Sequence, residues 1–387
     1  MESPTVCDET AACSNNEDQW WRRELPTPYL AVRLGEVEER YRDFRRALPA
    51  AQVYYALKAN PARPVASVLA NAGSNFDVAS ATELMLALEL GIPPSRISFG
   101  NTVKRAADIE LAFRVGVSHF TADSAGEIDK LAALAPGTNV TVRLLVDCQG
   151  AEWPLSRKFG CDREMALYLF QYAKNQGLQP FGLSFHVGSQ QTNPNAWDEP
   201  IRQAASIFEE SACRGIQLDT LNLGGGFPAQ YCKPVPSVAA YGEAINESLL
   251  RWFSESIPNL MIEPGRGLVA DAGVLVSEVL LSSRKSTKDS QRWIYLDCGL
   301  FGGLIETLGE AIRYRIETDC DGGARGPAVI AGPTCDSTDI LYKRTPYELP
   351  LQLCAGDQVR FLSAGAYTFT CALAGFNGFA PLQCICV

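Results

Sequence analysis

Apolar and polar positions follow two alternating rhythms along this chain. From about residue 34, stretches with apolar positions three and four apart, the helical period, trade places with short runs that are apolar nearly throughout. "LGEVEERYRDFRRAL" predicts a helix, "QVYYALKAN" a strand, and "RPVASVLANAG" a helix closed by glycine. The alternation continues with "NFDVAS" and "ATELMLALELG", "RISFGN" and "KRAADIELAFRVG", "HFTAD" and "AGEIDKLAALA", then "NVTVRLLVD" and "REMALYLFQYAKNQG". It ends with "FGLSFHVGS" and a helical stretch to about Gly215, "TLNLGGGF" and "VAAYGEAINESLLRWF", and finally "NLMIEPGR". Strands that are apolar on both faces belong in a parallel sheet covered by helices. Eight strands of this kind predict a closed (β/α)8 barrel, TIM-like, over residues 34–270.

Past residue 270 the rhythm changes. "AGVLVSEVLLSS", "RWIYLDCG", "PAVIAGP", "LPLQLC", "DQVRFLSAGAY" and "PLQCICV" are strand-like and separated by turn residues. Only "GGLIETLGEAI" has helical spacing there. Residues 271–387 are therefore expected to form a mostly antiparallel β-domain, joined by an extra strand at 27–33, around "TPYLAV". Residues 1–26 are polar and acidic, and are expected to be a disordered leader.

Composition narrows the function. Of 387 residues, 47% are hydrophobic and 20% charged, the balance of an ordinary globular protein. The net charge is −10 and no long basic run exists, which argues against nucleic-acid binding. No apolar run is long enough to span a bilayer, and the leader has no secretory h-region. Thirteen cysteines without a CxxC pair argue against a disulfide framework or a zinc site, and two histidines are too few for a multi-histidine metal centre. No metal is expected. Cysteines of this kind fit a reducing cytoplasm.

The candidate chemistry lies where the strands end. In such a barrel the active site forms at the C-terminal ends of the strands. Lys58 in "YYALKANP", Asp77, Arg143, His186, Gly224–Gly226, Glu263 and Arg266 all fall at or just past such ends. Singly each has a plain alternative: a surface lysine, a satisfied core histidine, a flexible glycine turn. Together they outline one rim. Three successive glycines leave N–H groups open to an anion after strand seven, and Arg266 after strand eight adds fixed positive charge. An anion site and a rim lysine suggest pyridoxal phosphate. Lys58 would hold its aldehyde as a Schiff base, Glu263 would pair with the ring nitrogen, and His186 would lie against the ring.

At these residues the chain resembles a known family, the fold type III pyridoxal-phosphate decarboxylases. It is similar to the ornithine decarboxylase branch and its bacterial lysine/ornithine members. The resemblance runs from about residue 27 to the C-terminus through "YYALKANP", "FDVASATEL", "SFHVGSQ", "LNLGGGFP", "IEPGRGLV", "GPTCDSTD" and "GAYTFTCALAGFNGF". It implies a barrel plus β-domain of the alanine racemase type. It also implies that Lys58 carries the cofactor, that Asp77 and Arg143 line its pocket with Glu83 nearby, and that His186 stacks on the ring. Ser189, Gly225, Gly226, Gly265, Arg266 and Tyr367 would hold the cofactor with Glu263 at the pyridine nitrogen, and Tyr367 would also border the substrate. Cys335, the implied proton donor to Cα, and Asp336 would come from the partner subunit of a homodimer. The family often has glycine where this chain has Gln190, although related bacterial members share the glutamine.

For the substrate, a distal ammonium group needs a carboxylate. Asp336 offers one, and Glu306 and Glu310, four apart in a helix-like stretch, would share a face and wall the far end of the pocket. No arginine precedes Arg313 there, so a substrate with a distal carboxylate is disfavoured. The expected reaction converts ornithine, lysine or both to putrescine or cadaverine and carbon dioxide, a step of polyamine biosynthesis. Another basic or D-amino acid, a racemase, and an inactive regulatory homologue are the alternatives.

Overall fold

The structure, a computed structural model, describes residues 20–22, 25–153, 158–254 and 256–387. They form two compact units. One comprises residues 38–228 and 235–267; the other comprises the described residues up to 37, 229–234 and 268–387.

The first unit is a closed parallel barrel of eight strands. They are β1 (Ala51–Ala56), β2 (Asn75–Val78), β3 (Ile97–Phe99), β4 (His119–Ala122), β5 (Asn139–Arg143), β6 (Gln179–Ser184), β7 (Thr220–Asn222) and β8 (Asn259–Ile262). Closure comes where Leu260 and Ile262 of β8 stand opposite Ala51 and Val53 of β1. The apolar runs are buried as their sequence requires, and the Phe99 and Phe120 rings stack at 6.2 Å. Side-chain caps start several outer helices: Ser80 Oγ accepts from Glu83 N–H, Asp162 from Met165 N–H, and Ser237 from Ala240 N–H. Because all strands run the same way, every strand C-terminus opens on one rim. A short ribbon that the hydrophobic pattern does not predict pairs Ala151–Trp153 with Ser189–Gln191 beyond β6.

One charged group is built into the barrel wall. Lys104 is buried, and its Nζ donates to Thr121 O at 2.6 Å and Asn101 O at 2.8 Å, and lies 3.0 Å from Glu127 Oε1. Lys130, one-third exposed, lies 2.5 Å from the second Glu127 oxygen. Burial pulls the Lys104 ammonium down to about 8 despite its carboxylate partner.

The second unit is an eight-stranded mixed sheet with the strand path 316–318, 358–362, 273–283, 292–296, 325–331, 347–350. Tyr29–Val32 joins it, antiparallel to Gly273–Ser283 and parallel to Gln383–Cys386. Most pairings are antiparallel, but Arg292–Leu296 and Arg325–Ala331 run parallel.

Two expectations need correction here. The leader expectation reached residue 26, yet Trp20 and Trp21 pack against a core of Tyr29, Ala31, Val274 and Val276. The Arg33 and Arg360 guanidinium groups lie 5.7 and 4.7 Å from the Trp20 and Trp21 ring centres. Residues 1–19, 23 and 24 of that expectation lie outside the described residues. The second correction concerns "GGLIETLGEAI". It forms only a 3₁₀ stretch, Ile305–Glu310, broken where Leu308 is extended and Gly309 is left-handed at φ 67°. The break removes the i, i+4 face that Glu306 and Glu310 were expected to share.

The ion group gives a stability contrast. Glu127→Leu strands a buried ammonium and is expected to cost about 3–5 kcal/mol. Lys130→Met removes a partly exposed partner and is expected to cost less than about 1 kcal/mol. Urea unfolding midpoints measure both; equal losses would contradict the assignment of Lys104 and Glu127 as the essential pair.

Candidate active site

Lys58 sits on the turn Leu57–Ala59 that directly follows β1. It is exposed at the rim, within electrostatic reach of Asp77, Glu83 and His186. The turn is held from below, since Asn60 N–H donates to Leu57 O and Tyr55 Oη donates to Asn60 O at 2.8 Å. So the lone lysine of the "YYALKANP" run escapes the core by lying beyond its strand.

Acids surround it. Asp77, near the end of β2, is buried and its Oδ1 has no hydrogen-bond partner among the described residues. Burial, then the neighbouring Glu263, push its carboxyl well above the usual range, against the pull of Lys58. A side chain at residue 100 would collide with that carboxylate, which explains Gly100 at the end of β3. Glu83 Oε2 accepts from Ala79 N–H at 2.7 Å, and burial raises its carboxyl too.

His186 follows β6. Gly188 N–H donates to its Nδ1 at 3.1 Å, which leaves the ring proton on Nε2. Burial, Arg143 and Lys58 depress its pKa well below the usual value, so the imidazole is neutral. Arg143 ends β5, with its guanidinium 5.4 Å from the Phe159 ring centre. The other histidine, His119, opens β4 at the opposite end of the barrel and packs on Phe181.

The glycine turn after β7 leaves no room for side chains. Gly224 and Gly226 have φ of 68° and 107°, and a Cβ on Gly224 would strike Phe185 O. One on Gly225 would lie 2.6 Å from Glu263 O and 3.2 Å from His186 Nε2; one on Gly226 would lie 2.5 Å from Gly188 O. Gly224 N–H is taken by Asn222 Oδ1 at 2.9 Å. The N–H groups of Gly225 and Gly226 donate to nothing among the described residues. Ser189 Oγ accepts from buried Arg266, at 3.3 Å from Nε and 3.1 Å from Nη2. Gly265 is buried in the turn leading to Arg266. Two open amides, a hydroxyl and a guanidinium form a donor set suited to a phosphate. Glu263, one residue past β8, receives Asn222 Nδ2–H on Oε1 at 2.5 Å.

The barrel thus brings together Lys58, Asp77, Glu83, His186, Ser189, Gly225, Gly226, Glu263 and Arg266, while Arg143 borders His186. Sequence reasoning missed Asn222 and Gly100. Asn222 carried the signal that exposed Lys58, a polar residue ending an apolar strand, but the glycines beside it drew the attention.

The remaining candidates belong to the second unit. Cys335 is exposed, with Sγ 3.5 Å from Asn377 Oδ1. Asp336 Oδ1 accepts from Thr338 N–H and Oγ1–H at 2.8 and 2.7 Å, and these bonds hold its carboxyl below the usual range. Glu306 is buried. Glu310 Oε1 caps the N–H groups of Arg344 and Thr345 at 2.5 and 3.3 Å. Tyr367 takes a left-handed backbone with φ 56°, unusual for a bulky residue. Among the described residues, no group of three or more His, Cys, Asp or Glu is placed to hold a metal ion.

Comparison with known proteins identifies the family. The family model described as "Pyridoxal-dependent decarboxylase, pyridoxal binding domain" matches residues 34–270. The lysine/ornithine decarboxylase of Selenomonas ruminantium is 38% identical over 95% of this chain and 91% of its own. A solved lysine decarboxylase from the same organism is 36% identical with a TM-score of 0.86, covering 97% of this chain and 96% of that one. Lysine/ornithine decarboxylase from Vibrio vulnificus, solved with putrescine, is 34% identical with a TM-score of 0.84, covering 94% and 95%. With that model matching residues 34–270 and a relative 38% identical over 95% of the chain, the chain belongs to the family of pyridoxal-dependent decarboxylases.

Proposed function

We propose that this chain decarboxylates ornithine and lysine to putrescine and cadaverine. The observation that carries the reading is the rim itself: one lysine among carboxylates at one end, and at the other a triple-glycine turn with Ser189 and Arg266. The names of the relatives from Selenomonas and Vibrio support the substrate class.

Bound pyridoxal phosphate supplies a protonated ring that takes up the electron pair of the breaking Cα–carboxylate bond. The residues of this chain do the rest. Lys58 would be the amine that holds the cofactor aldehyde. The Gly225 and Gly226 N–H groups, Ser189 and Arg266 bind the phosphate, with Gly265 allowing the close approach of the turn. Glu263 holds a proton at the ring nitrogen. His186 packs against the ring as a neutral imidazole, so it sets no positive charge against a cationic ring. Asp77 and Arg143 flank the pocket. Tyr367 is assigned to the phosphate and substrate, and its strained backbone supports a functional role.

Cys335 is the proposed proton donor to Cα and Asp336 the partner of the distal ammonium, both supplied to the other subunit of a homodimer. Leu373 and Phe379 expose apolar surface along a groove that Pro333, Thr334 and Phe376 also line, next to Cys335 in the chain. Glu306 is the second candidate for the distal ammonium. Glu310 ranks below both, because one of its oxygens already caps a backbone turn. A methylene of substrate length is worth only about 1–3 kcal/mol, so one pocket is expected to accept both amino acids. The described cysteines are all free thiols, which supports a reducing cytoplasm. No helix among the described residues is long and apolar enough to cross a membrane.

Three measurements test this reading. A panel of L- and D-basic amino acids, with products read by mass spectrometry, is expected to give putrescine and cadaverine; agmatine or D-selective turnover would replace the substrate assignment. The purified protein is expected to show a visible absorption band that borohydride and Lys58→Ala each abolish, and absence of that band would leave only the inactive-homologue reading. Cys335→Ala is expected to release carbon dioxide yet form aldehyde in place of clean amine. Mixing it with Lys58→Ala should restore roughly a quarter of the activity by random re-pairing, whereas no recovery after proven subunit exchange would place the site within one chain.

A further inference from the structure

Asn222, the last residue of β7, is buried and its backbone is fixed on both sides. It stands opposite Ser184 of β6 and Met261 of β8, and its carbonyl accepts from Phe185 N–H at 3.1 Å. Its side chain reaches two groups with different tasks. Oδ1 accepts from Gly224 N–H at 2.9 Å, and Nδ2 donates to Glu263 Oε1 at 2.5 Å. The amide orientation is settled by chemistry, because an N–H can give only to the oxygen and a carboxylate can take only from the nitrogen. A third tie closes the loop: Glu263 N–H donates to Gly224 O at 2.8 Å.

We propose that Asn222 is a positioning residue that ties the carboxylate facing the ring nitrogen to the glycine turn cradling the phosphate, so that one side chain sets the spacing and orientation of both ends of the cofactor. The proposal rests on the reading that Glu263 faces the ring nitrogen. With Oε1 held by the amide, Glu263 is fixed in one rotamer and presents Oε2 to the ring. With Gly224 N–H satisfied, the turn keeps the left-handed conformations at Gly224 and Gly226 that aim the next two N–H groups at the anion.

No other common side chain does both tasks at this length. Aspartate keeps the acceptor for Gly224 N–H but sets a second carboxylate against Glu263, and two carboxylates at hydrogen-bond distance cannot both remain ionised. Leucine keeps the volume and loses both bonds.

The test uses Asn222→Asp, Asn222→Leu and Glu263→Gln, each stripped of cofactor and refilled with pyridoxal 5′-phosphate. The readouts are the cofactor dissociation constant, the pH dependence of the visible band, and the thermal midpoint of the apoprotein as a control for folding. Asn222→Asp is expected to move the pH profile by about one unit or more. Asn222→Leu is expected to weaken cofactor binding about tenfold or more. Wild-type profile and affinity in Asn222→Asp would overturn the proposal, and so would equal losses of affinity in both variants with an unmoved profile. A profile that Glu263→Gln moves and Asn222→Asp does not would overturn the role of Asn222 alone. A profile that Glu263→Gln leaves unmoved would overturn the reading of Glu263 and the proposal together.

Discussion

The site depends on a separation of charge along one barrel rim. At one end, Asp77, Glu83 and Glu263 crowd around Lys58, and burial makes the ionised form of Asp77 and Glu83 costly. At the other end lie the buried Arg266 guanidinium, which donates to Ser189 Oγ, and two open amides, a donor set suited to negative charge. A pocket polarised in this way suits a ligand that is cationic at its ring and anionic at its phosphate. The closed parallel barrel makes the separation possible. It brings eight strand ends to one rim, so groups distant in sequence meet without a long loop having to be ordered.

The neutral histidine belongs to the same logic. Burial disfavours an imidazolium at position 186, and the neighbouring charges of Arg143 and Lys58 disfavour it further, so its pKa is depressed. The Gly188 N–H bond to Nδ1 then fixes the tautomer, so the ring is held flat in one state by its own chain neighbour. Its charge state follows from burial and from cations on other strands, and its tautomer from the turn after β6.

The barrel was legible in the sequence because its strands are mostly apolar and buried, so that a charged residue near a strand end is conspicuous. That rule made Lys58, Asp77, His186 and Glu263 stand out, and the structure brings them together. Other features were hidden for physical reasons. Asn222 is small, uncharged and flanked by glycines, and only its two hydrogen bonds reveal what it does. The Ile305–Glu310 segment has helical spacing, but Gly309 adopts a left-handed conformation and Leu308 an extended one, which spacing cannot show. Trp20 and Trp21 sit at the end of a polar, acidic stretch, yet two aromatic rings bury enough apolar area to dock on the sheet.

Gln190 illustrates how local strain and its anchored neighbours connect. Its φ is 55°, a conformation glycine takes freely and a glutamine backbone resists. The surroundings show what compels it. On one side Ser189 must present its hydroxyl to Arg266; on the other Gln191 N–H donates to Gly226 O at 2.9 Å, and Gln191 O accepts from Tyr241 Oη at 2.8 Å. With both neighbours anchored, residue 190 has to turn sharply between them whatever its side chain. The anchors are the serine bonded to Arg266 and the glycine turn itself, so the backbone strain at 190 is a consequence of holding these two in register.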